Sequence, residues 1–162
     1  MKIAVSDFDG TLFFHQDNTI PQINIDAVKK WRKAGNIFCF CSGRDVRSLM
    51  FEVNKSDLEY DFIICNNGGT LFDKNLNIKK SFPLDKKMLT KLVYSDIATN
   101  SWHIMYSSVD MMRTTIHSDK SQLLKYFQLP KYKNQNIIKI ITIEEALKEI
   151  NPVQISLVKM NK

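Results

Sequence analysis

Short apolar runs alternate with amphipathic stretches through the first half of the chain. Three runs have the length and the β-branched or aromatic content of buried strands, and they span residues 3–5, 37–41 and 62–65. Between the first two runs, residues 22–34 place Ala27, Val28 and Trp31 on one predicted helix face, and Gly35 predicts the C-terminal end of that helix. This alternation is typical of strands and helices that build a parallel sheet.

A second helix is predicted directly after the run at 37–41. Its apolar residues fall at positions i, i+3, i+4 and i+7, and they are Val46, Leu49, Met50 and Val53. A strand, a helix and another strand in succession predict a right-handed crossover, and uninterrupted apolar runs predict strands that are covered on both faces. Two asparagines and two glycines at 66–69 predict a tight turn that opens a hairpin into a strand at 70–72.

The pattern changes near Pro83, where we place a boundary between residues 1–82 and residues 83–162. The second part is predicted to run helix, strand, strand, helix, strand, helix, strand. Those elements span residues 85–98, 102–107, 111–116, 119–127, 137–141, a short helix opened by a capping box at 142–145, and 153–158. In the first of these helices, Met88, Leu92 and Val93 are expected to face inward.

The composition is ordinary for a globular protein and narrows the choice of partner. The chain has 162 residues, of which 44% are hydrophobic and 25% charged. Its net charge of +6 comes from scattered lysines, which favours a general attraction for anions over a nucleic-acid site. Three cysteines without CxxC spacing, Cys39, Cys41 and Cys65, predict buried thiols in a reducing compartment. No apolar run is long enough to span a membrane and no signal-peptide pattern is present, so we expect a cytoplasmic protein without a membrane partner.

Two carboxylates follow the first apolar run, at the place where open α/β sheets carry their chemistry. Asp7 and Asp9 stand at i and i+2, and Gly10 and Thr11 come directly behind them. Glycine favours a sharp turn there, which would bring side chains, a carbonyl and backbone N–H groups to one point. One acid can bind a hard cation and attack as a nucleophile while the other transfers a proton. The alternative is a plain acidic turn. His15 is near enough to reach a substrate, although a lone loop histidine is more often incidental.

A second candidate stretch ends the run at 37–41. Ser42, Gly43 and Arg44 lie at the predicted N-terminus of a helix, where free N–H groups and the helix dipole favour a phosphate. The alternative is that Ser42 only caps the helix.

Residues 7–12, Asp-Phe-Asp-Gly-Thr-Leu, resemble the first signature of the haloacid dehalogenase superfamily in its phosphatase form. The resemblance implies that Asp7 forms an aspartyl-phosphate and that Asp9 protonates the leaving group and then activates water. It also implies Mg²⁺ held by the Asp7 carboxylate and the Asp9 backbone carbonyl, with Gly10 and Thr11 among the phosphate-binding residues.

Two further stretches resemble the Cof-type subgroup, whose members carry a large α/β cap. Ser42, Gly43 and Arg44 resemble the second signature, in which the hydroxyl binds the transferring phosphate, and Asn67 matches an asparagine in a turn over the active site. The implied fold is α/β: a Rossmann-like parallel-sheet core in residues 1–82, limited to its first three core strands, and an inserted, incomplete α/β cap in residues 83–162.

The implied function is a Mg²⁺-dependent phosphomonoesterase that acts on a small phosphorylated metabolite, such as a sugar phosphate, pyridoxal phosphate or a nucleotide. Family members resume the core after the cap, with a lysine and an acidic Gly-Asp cluster that this sequence lacks. We therefore expect a front half of the fold with impaired activity. The alternative is a non-catalytic phosphate- or metal-binding or interaction module. Residues 2–6 are expected to form an unpaired sheet edge, so that the chain either self-associates through this edge or is only marginally stable.

Overall fold

The computed structural model describes residues 1–109, 112–118, 138–149 and 151–159. The chain divides into two compact units, Met1–Phe82 and Pro83–Lys162.

The first unit is built on a five-stranded sheet. Its strands are β1 (Ile3–Asp7), β2 (Ile37–Cys41), β3 (Phe62–Cys65), β4 (Thr70–Asp73) and β5 (Ile78–Ser81), and its helices are α1 (Gln22–Lys33) and α2 (Val46–Val53). The spatial order is β1-β2-β3-β4-β5, in which the first three strands are parallel and the last two are antiparallel. The predicted α/β class with a parallel-sheet core is confirmed.

Helix α1 connects β1 to β2 and packs through one face. Ile25 and Val28 are buried, and the Trp31 indole N–H donates to the Ile37 carbonyl at 2.9 Å. The expected inward position of Ala27 is wrong, because Ala27 is exposed and Ile25, three residues before Val28, completes the buried face. The helix ends as predicted before Gly35, whose φ of +77° is the left-handed conformation that glycine tolerates.

Strand β1 lies at the edge of the described sheet, where β2 is its hydrogen-bonded neighbour. The prediction of a buried strand is wrong for one face, because Ile3 and Val5 are 64% and 59% exposed. Side chains alternate along a strand, so Ile3 and Val5 share one face. Strand β5 was not predicted. Its exposed lysines, Lys79 and Lys80, hide the apolar alternation that marks a strand, and charged edge strands of this kind are common.

The second unit contains a four-stranded sheet in the order β8-β7-β6-β9. Its described elements are α3 (Lys86–Val93), α4 (Asp96–Thr99), β6 (His103–Ser107), β7 (Met112–Ile116), β8 (Ile138–Ile140), α5 (Ile143–Glu149) and β9 (Gln154–Val158). The hairpin of β6 and β7 and the strands at β8 and β9 agree with the prediction. The helix predicted at 119–127 lies outside the described residues.

The single helix predicted at 85–98 is two helices. The Ser95 hydroxyl accepts from the Ala98 N–H and donates to the Leu92 carbonyl, so it caps the second helix instead of continuing the first. Met88 is exposed, contrary to the prediction, because Leu89 and Val93 form the buried face.

The apolar core of this unit joins α3, the sheet and α5. It comprises Leu89, Val93, Ala98, Ile104, Tyr106, Ile141 and Ala146. The predicted capping box is confirmed at the start of α5, where the Thr142 N–H donates to Glu145 and the Glu145 N–H donates to the Thr142 hydroxyl at 3.1 Å. Within the described residues, no helix is both long enough and apolar enough to cross a membrane.

The three cysteines are free thiols. Cys39 and Cys65 are buried, and burial raises the pKa of the Cys39 thiol to about 11 and that of Cys65 to about 12, so both stay protonated at neutral pH. Cys41 is only half-buried, and its thiol points at the Ser6 carbonyl at 3.5 Å. Core thiols were predicted, and for Cys39 and Cys65 the structure agrees.

Candidate active site

The segment after β1 closes into a tight turn around one carbonyl group. The Phe8 carbonyl accepts from the N–H groups of Leu12 and Phe13, at 3.0 and 2.8 Å, and the Gly10 N–H donates to the Phe13 carbonyl at 2.8 Å. Gly10 has a φ of +81°, with open space where a Cβ would stand, so the backbone conformation alone demands glycine. The buried rings of Phe8 and Phe13 stack 5.4 Å apart and fix the turn to the core.

The two carboxylates of this turn have different surroundings. Asp7, the last residue of β1, is exposed, and no hydrogen bond or ion pair reaches its carboxylate from the described residues. Asp9 is partly buried and receives polar contacts from three other side chains. A carboxylate without partners is available as a nucleophile or as a metal ligand, whereas a carboxylate held by donors has a fixed orientation.

Arg44 binds Asp9 through a two-pronged contact. Its Nη2 donates to Oδ1 at 2.6 Å and its Nε donates to Oδ2 at 3.1 Å. The guanidinium carbon lies 5.7 and 5.4 Å from the ring centroids of Phe8 and Phe13, within cation–π range. The ion pair and the two rings together fix the plane of the guanidinium group. Arginine can make such a bidentate contact and lysine cannot.

Ser42 and His15 complete the surroundings of Asp9. The buried Ser42 hydroxyl donates to Oδ2 at 3.1 Å and accepts from the Arg44 N–H at 3.1 Å. The His15 Nε2 lies 3.1 Å from Oδ1, and its ring meets Phe13 edge-on at 5.2 Å. The lone loop histidine therefore contacts a candidate catalytic residue.

Ser42 does not cap α2. Asp45 takes that place, since its carboxylate accepts from the N–H groups of Arg47 and Ser48. The Ser42 N–H still donates to the Ile64 carbonyl of β3, so the chain remains in the sheet at this residue and turns into the helix only after it. The alternative prediction, that Ser42 acts only as the helix cap, is wrong.

The turn after β3 packs against the same loop. The Asn66 N–H donates to the Arg44 carbonyl at 2.9 Å, and the Asn67 N–H points to the Ser42 carbonyl at 3.3 Å. Asn66 and Asn67 both have positive φ, at 55° and 52°. A Cβ added to Gly43 would stand 2.9 Å from the Asn67 Oδ1, so a larger residue at this position would force the Asn67 side chain to move.

The predicted site residues thus separate into two sets. The structure gathers Asp9, Ser42, Gly43, Arg44 and Asn67 through direct contacts across three loops. The carboxylate of Asp7 and the hydroxyl of Thr11 have no such contact among the described residues. The Gly10 N–H is engaged within its own turn, so a phosphate contact from Gly10 stays a prediction. Gly10 instead shapes the turn that presents both acids.

Sequence reasoning missed three features of the site. The role of Asp45 as the cap of α2 could have been predicted, because an aspartate directly before a helical apolar pattern is a common N-cap. The sequence places His15 near enough to reach a substrate, but the contact of its ring with Asp9 was not predicted. No signal in the sequence predicts that Phe8 and Phe13 form a platform for Arg44.

The oxygen donors of this site suit a hard cation. Within the part of the chain that the structure describes, no donor contacts the Asp7 carboxylate and no backbone N–H donates to the Asp9 carbonyl. Mg²⁺ commonly takes only one or two carboxylates and keeps several waters. No cluster of three or more His, Cys, Asp or Glu side chains suited to a metal occurs within the described ranges. The two oxygens fit Mg²⁺ in kind and would supply part of its coordination shell.

Comparison with protein families gives one match over nearly the whole chain. Residues 4–161 match the model of the haloacid dehalogenase-like hydrolases. Among curated proteins, no match was found.

Solved structures with the same fold include two that are described as phosphatases. BT1666 from Bacteroides thetaiotaomicron, from a study of phosphatases of the haloalkanoate (HAD) enzyme superfamily, aligns with a TM-score of 0.73 and 17% identity over 94% of this chain and 53% of that one. BT4131, described as a HAD subclass IIB sugar phosphatase, aligns with a TM-score of 0.70 and 18% identity over 92% and 55%. A protein from Plasmodium vivax described as HAD/COF-like aligns with a TM-score of 0.71 and 22% identity over 98% and 56%. The chain therefore spans about half the length of the solved structures that it matches.

Proposed function

The chain belongs to the haloacid dehalogenase-like hydrolases, and from that premise we propose that it carries the nucleophile, the acid–base group and part of the phosphate site of a Mg²⁺-dependent phosphomonoesterase. The observation that supports this best is the contrast between the two acids. Asp7 presents an exposed carboxylate that no donor of the described residues reaches, and Asp9, two residues away, is held by Arg44 and Ser42. A nucleophile and an acid–base group have these different needs.

In the proposed reaction, an Asp7 carboxylate oxygen attacks the phosphorus of a phosphate monoester. The bond from phosphorus to the ester oxygen breaks, and the carboxyl group of Asp9 gives that oxygen its proton, which releases the alcohol. Asp9 then takes a proton from water, and the oxygen of that water attacks the phosphorus of the aspartyl-phosphate. The bond between this phosphorus and the Asp7 oxygen breaks, so inorganic phosphate leaves and the Asp7 carboxylate is restored. Phosphate monoesters have very high uncatalysed barriers, which explains the need for both groups.

The proposed Mg²⁺ would be held by the Asp7 carboxylate and the Asp9 backbone carbonyl, and when bound it would neutralise charge on the phosphate oxygens. Because the proposed site has two protein oxygens, we expect Mg²⁺ binding that is weak, with a dissociation constant on the order of millimolar, or absent. Calorimetric titration of the chain with MgCl₂ measures it. A micromolar constant would mean that further ligands exist.

The proposed substrate is a small phosphorylated metabolite: a sugar phosphate, pyridoxal phosphate or a nucleotide. Residues 83–162 would form the cap that selects among these, and Ser42, Arg44 and Asn67 would face the phosphate. A cytoplasmic location is part of the same proposal.

Hydrolysis of a panel of such monoesters, followed by release of inorganic phosphate with Mg²⁺ present, tests the proposal. Asp7→Asn should abolish turnover because it removes the nucleophile, and Asp9→Asn should reduce it severely because the leaving oxygen loses its acid. Asp17→Asn removes the same charge from an exposed position in the following loop and serves as the matched control. Turnover of more than a few per cent in Asp7→Asn would refute the assignment. Phosphate binding without turnover in the unsubstituted protein would favour the non-catalytic alternative.

A further inference from the structure

The carboxylate of Asp9 has no acceptor position left over. Its Oδ1 is contacted by Arg44 Nη2 at 2.6 Å and by His15 Nε2 at 3.1 Å, and its Oδ2 by Ser42 Oγ and Arg44 Nε, both at 3.1 Å. A carboxylate offers about four lone-pair positions for hydrogen bonds. Three side chains therefore fill the hydrogen-bonding capacity of Asp9.

Two of these donors are the groups assigned to the phosphate. A phosphate group is bound most strongly by the planar fork of an arginine and by hydroxyl and N–H donors. The Ser42 hydroxyl carries one proton, so it donates to one acceptor at a time, and that proton is directed at Asp9. The Nε and Nη2 protons of Arg44 are directed at Asp9 as well.

We propose that the Asp9 carboxylate and a phosphate group compete for Arg44 and Ser42. Binding of the phosphate would transfer these donors from Asp9 to the phosphate oxygens and leave the Asp9 carboxyl group free to act on the leaving oxygen. This inference rests on the proposed function, because it requires that Ser42 and Arg44 take the phosphate. It makes Arg44 a positioning residue for Asp9 in addition to a phosphate ligand.

The geometry explains why one arginine can serve both anions. The guanidinium group lies over the buried rings of Phe8 and Phe13, so its plane is supported by residues of the turn that carries both acids. A phosphate attached near Asp7 would stand within two residues of Asp9 along the same turn. The arginine side chain is only partly buried, so in the proposed exchange its end would turn from one anion to the other.

Binding of inorganic phosphate to the full chain, measured by calorimetry at constant pH and ionic strength, tests the competition. Asp9→Ala removes the competing acceptor and should tighten phosphate binding about tenfold, the equivalent of one charge-assisted hydrogen bond. Asp7→Ala removes the same charge from the same turn but no contact with Arg44 or Ser42, and should tighten binding only about two- to threefold through the lost repulsion. In an Arg44→Gln background, the difference between the two alanine variants should shrink but not vanish, because Ser42 still donates to Asp9 and remains the one donor to compete for.

The possible results distinguish failure of the proposed competition from failure of the proposed function. If phosphate binds and Asp9→Ala and Asp7→Ala tighten it equally in the unsubstituted background, charge alone explains the effect and the competition is refuted, while the proposed function stands. If none of these proteins binds phosphate, both the phosphate site and the competition are wrong.

A second measurement follows Arg44 directly. The side-chain Nε–H resonance of Arg44 should shift when phosphate is added and should shift on Asp9→Ala substitution without phosphate, because both changes replace its acceptor. Arg47 provides the matched control, since it is exposed on α2 and its side chain makes no hydrogen bond with the described residues. Saturation with phosphate that leaves the Arg44 resonance in place would overturn the proposal even if affinities changed.

Discussion

Replacement of Gly43 by alanine tests how closely the loops of the site fit together. The φ angle of Gly43 is not in the left-handed region, so its backbone accepts alanine. The new methyl group, however, would stand 2.9 Å from the Asn67 Oδ1 and 3.4 Å from its Cγ and Nδ2. Van der Waals contact between two such atoms begins at about 3.5 Å. The Asn67 side chain must therefore move away from the new methyl group by roughly half an ångström or more.

The expected loss of stability is modest because the obstacle is the end of an exposed side chain. An off-rotamer side chain costs about 0.5–1.5 kcal/mol, and we expect Gly43→Ala to lower the free energy of unfolding by about 1 kcal/mol. For a unit of this size, that corresponds to a melting temperature lower by roughly 4–8 °C. Urea and thermal unfolding followed by circular dichroism measure the change.

A compensating substitution at Asn67 makes the test specific. Asn67 has a φ of 52°, which glycine adopts readily, so Asn67→Gly removes the obstructing side chain without straining the turn. In the Asn67→Gly background, Gly43→Ala should cost close to nothing, which gives a coupling energy of about 1 kcal/mol in the double-mutant cycle. An equal cost in both backgrounds would show that Gly43 is required for another reason.

Three further predictions concern the scaffold. The Arg32 guanidinium, which hydrogen-bonds the Asp61 carboxylate, holds the pKa of Asp61 below its ordinary value, so this carboxylate stabilises the fold above about pH 4 and its contribution is lost as the pH falls through the lowered pKa. Asp61→Asn should therefore weaken the first unit by roughly 1–2 kcal/mol at pH 7 and flatten the loss of stability between pH 5 and pH 3; an unchanged acid profile would contradict this. Thr142→Ala should cost about 1 kcal/mol in the second unit because Glu145 loses its cap, whereas Thr142→Ser should cost little, and equal unfolding midpoints for the two variants would count against the capping box. We propose self-association through the edge of β1, so Val5→Lys should shift the chain toward monomer in light scattering; unchanged association would place the interface elsewhere.

The parts of the fold that could be predicted are those that depend on a few neighbouring residues in the sequence. The turn after β1 follows from Gly10, since few other residues adopt its φ, and the capping box follows from Thr142 and Glu145, which satisfy each other over three residues. The strands β2 and β3 were bounded correctly because apolar runs between polar turns leave little freedom of register.

The parts that could not be predicted depend on distant neighbours. Whether Ile3 and Val5 are covered is decided by what packs on their face, and the strand itself carries no signal of it. In α3, Met88 and Leu92 have the same spacing as Leu89 and Val93, so the sequence alone does not decide which pair faces the core.

The same reasoning applies to the site. The residues that form it could be predicted, but their hydrogen-bond partners could not. Ser42 and Arg44 were chosen for the charge and hydrogen bonds they can offer to an anion. Their observed partner is the carboxylate of Asp9, another anion supplied by the protein. A pattern of residue types predicts that an acceptor is needed there, but it does not distinguish a side-chain carboxylate from a phosphate, because both present oxygens in similar geometry.

The loop after β2 contacts both the turn after β1 and the turn after β3. Through these contacts, the orientation of Asp9 depends on the conformation of the turn after β3. Ser42 and Arg44 donate through their side chains to Asp9, and their backbone carbonyls accept from Asn67 and Asn66. Asn66 holds a φ of 55°, which costs a non-glycine residue on the order of 1 kcal/mol. Its side chain is buried, and the amide has no hydrogen-bond partner among the described residues. A turn kept at such a cost is commonly one that function requires. The backbone N–H groups of this turn hold the carbonyls of Ser42 and Arg44, whose side chains donate to Asp9. A substitution at Asn66 should therefore alter the orientation of the Asp9 carboxylate although the two residues share no hydrogen bond.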